Sequence, residues 1–288
     1  MKKLVILALA VALPAAAQDL ATEVKATEAA PGIYMLEGAN GWSSNMGLMI
    51  GEEKVLLIDN GMPVIADGLI AKVQEMAGRP VDLIVNTHAH GDHVGSNAAL
   101  AGQGALIFAH DNLRTALLDN LEYAGGAAGL PVVTFSDEVT FHANGQKAVV
   151  FHTPAAHTSG DAIIHFPDQN VIDAGDIFFN GMFPFIDLDS GGTVDGYQAA
   201  QQRIMDLADD DTVIIPGHGP LASRADLREA INVLADAEGR VQKMVEAGMT
   251  EEEVLEANPL ADYHDKWNWF FITTEKMTST LYRSLTDG

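Results

Sequence analysis

The sequence predicts a mixed chain in which strands and helices alternate in each half of a single domain. Three observations predict it. Short β-branched runs recur at close spacing between turns bearing glycine or proline. Stretches of helical period, with start and stop signals, separate several of them. The polar clusters fall where strands end, which is where open sheets commonly hold ligands. With 288 residues, 48% of them hydrophobic, the chain is ample for a well-buried core.

Ahead of that domain, Lys2 and Lys3 precede an apolar run over 4–13, and Ala15-Ala16-Ala17 offers a small-residue cleavage site before Gln18. The run is too short to span a bilayer. The expectation is an export signal over 1–17, a mature domain over 18–288, no membrane anchor after cleavage, and a periplasmic or secreted destination.

Segments 33–37, 47–50 and 54–59 read as strands broken by turns. Residues 63–77 read as a helix, with Pro63 in the first turn and Gly78 at the stop. A short apolar run over 81–86 ends abruptly in a polar stretch. Segment 106–108 is strand-like, and Asp111 can cap a helix running to Leu121. A Gly/Ala-rich loop over 125–131 precedes strands at 132–135, 139–142, 148–152, 162–166 and 170–174. Helical period returns over 197–207, a strand follows at 212–215, and 225–247 is helical. Thr250 with Glu253 makes a capping box for a further helix. The segment from about 225 to 288 reads as a helical extension, and its amphipathic end, 263–285, carries Trp267 and Trp269.

Lys and Arg number 16 against 40 Asp and Glu, for a net charge of −24. That balance argues against a nucleic-acid partner, whose binding rests on neutralising phosphates. Charged residues are only 19%, so the acid excess is no signature of disorder. The absence of cysteine removes disulfides, iron–sulfur clusters and thiol nucleophiles. No Gly-x-Ser-x-Gly or phosphate-binding glycine loop occurs. A small-molecule substrate is the expected partner.

The strongest chemical signal is Thr87-His88-Ala89-His90-Gly91-Asp92-His93. Imidazole and carboxylate ligate zinc well, and a tight turn after a strand can aim several side chains at one point. Composition alone would give three histidines and one aspartate at these offsets in roughly one chain in a thousand. His157 lies in Pro154-Ala155-Ala156-His157-Thr158, Asp176 in Ala174-Gly175-Asp176, and His218 in Pro216-Gly217-His218-Gly219. Each sits in a turn-rich stretch after an expected strand. The remaining histidines, His110, His142, His152, His165 and His264, read as structural or surface groups.

These motifs, together with Leu57-Ile58-Asp59-Asn60-Gly61, resemble the metallo-β-lactamase superfamily over roughly residues 30–225. The resemblance implies an α+β chain folded as a four-layer αββα sandwich with a dinuclear zinc site at one sheet edge. Carried over by residue, His88, His90 and His157 would hold one Zn2+. Asp92, His93 and His218 would hold the other, and Asp176 would bridge the two. Asp59 would orient a ligand by hydrogen bonding. Ala155-Ala156 departs from the glycine often found before the third histidine. His90 stands where a Glu accompanies the oxygen-reducing di-iron members, so the resemblance favours zinc. The implied activity is hydrolysis: water activated by paired zinc attacks a carbonyl, with Asp92 both ligating and orienting the nucleophile.

A β-lactam is the leading substrate for an exported member of this kind. One major β-lactamase group carries a Cys where Asp176 stands and a substrate-gripping Lys three residues later, where this chain has Phe179. No Lys or Arg occurs over 176–192, so an anion grip would fall to metals, backbone amides or Arg224. Lactone or thioester hydrolysis, and a non-catalytic periplasmic zinc binder, are the alternatives. Trp42 and the aromatic loop 178–185 are candidate pocket walls. Trp267 and Trp269 are expected to pack the C-terminal helix or form a dimer contact.

Overall fold

The computed structural model describes residues 22–38, 41 and 43–286. The expected export signal and Trp42 lie outside the described residues. Strands β1 (Val24–Ala30), β2 (Ile33–Gly38), β3 (Asn45–Ile50), β4 (Val55–Ile58), β5 (Leu83–Val85), β6 (Leu106–His110) and β7 (Val133–Phe135) form one sheet in chain order. Strands β8 (Glu138–Ala143), β9 (Gln146–His152), β10 (Ala162–Phe166), β11 (Val171–Asp173), β12 (Val213–Ile215) and β13 (Ala222–Ser223) form the second, also in chain order.

The layering follows from the two-residue period of the strands. In β4, Leu56 and Ile58 face the second sheet, where Val150, Ile164, Phe166 and Ile215 meet them. Their neighbours Val55 and Leu57 face outward, onto Leu69 and Val73 of helix α1 (Ala66–Ala77). The second sheet repeats the arrangement. Phe151, Ile163 and Ile214 turn outward onto helices α3 (Val194–Leu207) and α4 (Arg224–Glu246). The order is helix, sheet, sheet, helix: the expected four-layer αββα sandwich.

Within each sheet, one stretch is parallel. Ile58 of β4 pairs with Val85 of β5, and Asp173 of β11 pairs with Ile215 of β12. Parallel neighbours end on the same side, so the loops after β4, β5, β11 and β12 open along one edge of the sandwich. The two sheets are tied there. Asn45 Nδ2 donates to the carbonyls of Pro216 and Gly219 at 2.8 and 2.7 Å, and Ala162 N donates to Thr87 O at 2.9 Å.

Several local expectations change. Strand β1 was not anticipated: VKATEAA is largely exposed and shows no alternation, and its antiparallel pairing with β2 makes it a strand. Pro63 starts a 3₁₀ turn, Pro63–Ile65, ahead of α1. Helix α2 (Asp111–Asp119) is capped by His110, whose side chain accepts from Asn112 N, and Asp111 lies in its first turn. Thr250 and Glu253 do form the capping box of helix α5 (Glu251–Ala257). The C-terminal stretch is not continuous. After a helical turn at His264–Trp267 the chain leaves helix, and Asn268 Oδ1 accepts from Thr274 N at the start of helix α6 (Thr274–Thr286).

Phe166 is fully buried between the sheets, so Phe166→Ala leaves a large void. It should cost about 3–5 kcal/mol. Urea unfolding should show this as a lowered midpoint with an unchanged slope.

Candidate metal centre

His88 and His90 follow β5 directly, and Asp92 and His93 sit in the single helical turn Gly91–Val94 that comes next. That turn starts at His90, whose carbonyl accepts from His93 N at 3.0 Å. His157 lies in the loop between β9 and β10. Asp161 holds that loop, accepting from Thr158 N and Oγ1 at 2.7 and 2.6 Å. Asp176 lies in a 3₁₀ turn after β11, and His218 follows β12. The register of the parallel strands sets Asp176 beside His218. A Cβ at Gly217 would collide with Asp176 Oδ1, so the close approach of these loops requires glycine there.

The structure brings all seven predicted side chains together, in two groups sharing Asp176. In the first, His90 Nδ1 lies 3.1 Å from His88 Nε2 and 3.0 Å from His157 Nε2. Asp176 Oδ2 is 3.7 and 3.5 Å from the same two nitrogens. In the second, His93 Nε2 lies 3.1 Å from Asp176 Oδ1 and 3.8 Å from Asp92 Oδ2. His218 Nε2 is 3.3 Å from Asp92 Oδ2 and 3.6 Å from Asp176 Oδ1.

The outward-facing nitrogens fix what the inward ones carry. Thr87 Oγ1 donates to Asp59 Oδ2 at 2.6 Å, so it accepts from His88 Nδ1 at 3.0 Å. His93 Nδ1 donates to Asp59 Oδ2 at 2.7 Å. His157 Nδ1 donates to the carbonyl of Phe185 at 2.7 Å, and His90 Nε2 donates to Asp187 Oδ2 at 3.0 Å. In the neutral rings the nitrogens facing the cluster are therefore bare lone pairs, set about 3 Å apart with no proton between them. His93 Nε2 and Asp176 Oδ1 are buried without a hydrogen-bond partner. Ligands about 2.0–2.1 Å from a tetrahedral ion lie roughly 3.3 Å from one another. The donor spacings bracket that value, and nitrogen and carboxylate oxygen suit a divalent ion. The residues fit bound metal.

The electrostatics agree. Burial, with the neighbouring His93 and His157, drives the His88 imidazole well below its usual range, and burial lowers His157 to about 4. Burial pushes the Asp176 carboxyl up, but His93, His218 and His88 outweigh it and hold the group well below the carboxylate range. Burial also opposes charge on His93, yet Asp176, Asp59 and Asp92 raise it well above the imidazole range.

The supporting residues were only partly visible in the sequence. Asp59 orients His93 as expected. It sits at φ 56, a conformation aspartate tolerates better than most residues, fixed by bonds to Thr87 N and Oγ1. Asp187, Thr87, Asp161 and the carbonyl of Phe185 went unrecognised. Thr87 opens the 87–93 motif but carried no role there, the other three lie outside the quoted motifs, and their roles depend on contacts of up to 97 residues' separation.

Above the ligands lies a cleft of about 530 Å³ whose walls include His90, Asp92, Asp187, His218, Phe179, Phe185 and Trp269. Phe179 stacks on His218 with ring centroids 5.0 Å apart. Trp269 corrects its expected packing role: it lines the cleft, 6.1 Å from the His218 ring, with Nε1 donating to Phe183 O. Its placement follows from the break after Trp267, which turns 268–273 over the site. Trp267 itself is buried against the second sheet's helical layer. Arg224 is not a cleft residue; it pairs with Asp210 at 3.6 Å.

A two-sheet sandwich with a His/Asp cluster able to bind metal at one edge defines a metal-dependent protein of the αββα class. The chain belongs to the metallo-beta-lactamase superfamily, whose sequence model matches residues 39–218. Members of this superfamily are mostly hydrolases. A probable metallo-hydrolase of Bacillus subtilis, YqgX, is 24% identical over 62% of this chain and 85% of its own length. A metal-dependent hydrolase of Thermodesulfovibrio yellowstonii is 33% identical over 59% of this chain and 56% of its own length. In fold the chain is similar to a metallo-beta-lactamase from Pontibacter korlensis, with a TM-score of 0.63, 20% identity, and coverage of 74% of this chain and 100% of that one. It is also similar to the sec-alkylsulfatase Pisa1 from Pseudomonas sp., with a TM-score of 0.69, 16% identity, and coverage of 92% and 50%.

Asp59→Asn keeps the shape and backbone preference of Asp59 but weakens its grip on His93 Nδ1. Metal affinity, measured by competition with a chromophoric chelator, should fall about 10–100-fold with the circular dichroism spectrum retained. Metal binding competes with protonation of these side chains, so metal affinity should fall as the pH is lowered from 7. Competition with a chelator at a series of pH values measures the fall, and an affinity independent of pH would count against these residues as the ligands.

Proposed function

We propose that this protein is an exported dizinc hydrolase acting on the carbonyl of a small cyclic amide or ester, with a β-lactam as the leading substrate. The convergence of bare imidazole nitrogens and carboxylate oxygens on two points beneath one cleft carries this reading. His88, His90 and His157 would hold one zinc, Asp92, His93 and His218 the other, with Asp176 shared. Bound zinc supplies Lewis acidity and lowers the pKa of water to about 7.

The chain's own residues do the rest. Asp92 is kept ionised: burial opposes its charge, but His93 and His218 outweigh it. It lies on the cleft wall, where its carboxylate can orient the attacking water and accept its proton. Asp187 and Phe185 hold His90 and His157 in their inward-facing tautomers. Phe179, Phe185 and Trp269 exclude water from one side of the reacting carbonyl, which strengthens electrostatic stabilisation of the developing oxyanion. Export follows from the signal pattern over 1–17, which would place the enzyme in the periplasm or outside the cell.

One observation favours a second substrate class. Among the described residues, no Lys or Arg lines the cleft. A lactone or thioester without a carboxylate needs no such group, whereas β-lactams in clinical use carry an anion.

A panel of a chromogenic β-lactam, a lactone and a thioester, assayed before and after chelation, tests the reading. At least one should be hydrolysed, with activity lost on chelation and restored by zinc. His90→Ala and Asp92→Ala should each lower kcat/KM by about 100-fold or more while leaving the protein soluble. Two bound metals with no turnover of any substrate would instead describe a zinc-binding protein without catalysis.

A further inference from the structure

Two cavities share a wall beside the candidate metal centre. The apolar one, about 530 Å³, has Phe179, Phe185, Trp269 and Phe271 among its walls. The second, about 290 Å³, has Asn112, Asp119, Asn120, Ser159 and Ser190 among its walls, beside the apolar Leu113 and Ala116. His90 and Tyr123 belong to both linings, so the two lobes adjoin across the His90 ring. Resting on the hydrolase reading above in its second form, an ester or thioester without a carboxylate, we propose that the substrate is an amphiphile uncharged at both ends, with a bulky apolar group in the aromatic lobe, a hydroxyl-bearing group in the polar lobe, and the scissile bond between them beside His90.

Each lobe is built for its half. Trp269 is held rigidly, its Nε1 donating to Phe183 O at 2.9 Å and its backbone N to Ile272 O at 3.2 Å. A fixed aromatic wall offers large contact area at little entropic cost. In the polar lobe, Asn112 Nδ2 commits one N–H to Ser159 O at 2.8 Å, which leaves its other N–H to donate and its Oδ1 to accept. With the Asp119 carboxylate, that wall favours O–H donors over an apolar or anionic group.

Charge fixes the ends as neutral. Among the described residues neither lining contains Lys or Arg, while Asp187 belongs to one lining and Asp119 to the other. Lys276 stands near the aromatic wall, but its ammonium lies 3.8 Å from the Phe271 ring centroid and 5.2 Å from that of Phe185. It is engaged on the ring faces, and its charge is offset by the nearby Asp187. An anion at either end would therefore meet Asp187 or Asp119 with no unpaired Lys or Arg to receive it, while the charge of metals held between the lobes would serve the scissile group.

The test uses the zinc-loaded protein and probes with no scissile carbonyl, so its outcome is independent of hydrolysis. Naphthylmethyl glucoside joins an aromatic group to a polyol through an ether. Calorimetry should find it bound about tenfold or more tighter than naphthylmethyl methyl ether and than methyl glucoside. Phe271→Ala, at an exposed position, should weaken the glucoside and the naphthyl ether alike. Asn112→Ala and Asn120→Ala should weaken only the glucoside. A sulfonate on the far edge of the naphthalene should cost about tenfold. The proposal is overturned if the glucoside binds no tighter than its apolar half, if neither asparagine variant separates the two probes, or if the sulfonate strengthens binding. Failure to hydrolyse any ester would bear on the hydrolase reading and leave these binding results standing.

Discussion

Four imidazoles turn lone pairs toward common points, and the structure of the site depends on that arrangement. His88, His93, His157 and His90 each have one nitrogen committed outward, to Thr87, Asp59, the Phe185 carbonyl and Asp187. Their other nitrogens then converge with two carboxylates in a buried pocket. Such a cluster costs free energy unless positive charge sits within it. The outward partners keep the rings from rotating to relieve that cost, which turns an unfavourable concentration of donors into a metal-binding one.

The sandwich supplies the rigidity this requires. The inter-sheet core, with Phe166, Ile164 and Ile58, sits directly behind the edge where the ligand loops emerge. Because β4 with β5, and β11 with β12, run parallel, their following loops open side by side. Asn45 then ties the two halves by bonding the backbone around His218. Ligands from both sheets therefore keep a fixed separation through packing and backbone bonds rather than through side-chain contacts alone.

The C-terminal segment has a separate role. The sandwich makes the floor of the cleft, and the non-helical stretch 268–273 makes much of its wall. Helices α4 and α6 anchor that stretch by burying Leu234, Met277 and Leu281 in the outer core of the second sheet. Substrate choice in this fold can thus change with the wall while the ligand floor stays constant.

The sequence by itself determined what is local. The motif 88–93 is a single turn after a strand, so its spacing carried the ligand types directly, and strand positions such as 162–166 followed from β-branched composition. The capping box of Thr250 and Glu253 was legible for the same reason, since its bonds span three residues. Tertiary structure decided what depends on distant partners. Asp187 became the support of His90 across 97 residues, and Trp269 became a cleft wall only because the helix breaks after Trp267. The exposed β1 is a strand because β2 pairs with it. Local chemistry is encoded in neighbours along the chain, whereas the orientation of a ring or the closure of a pocket belongs to contacts that exist only once the sheets have packed.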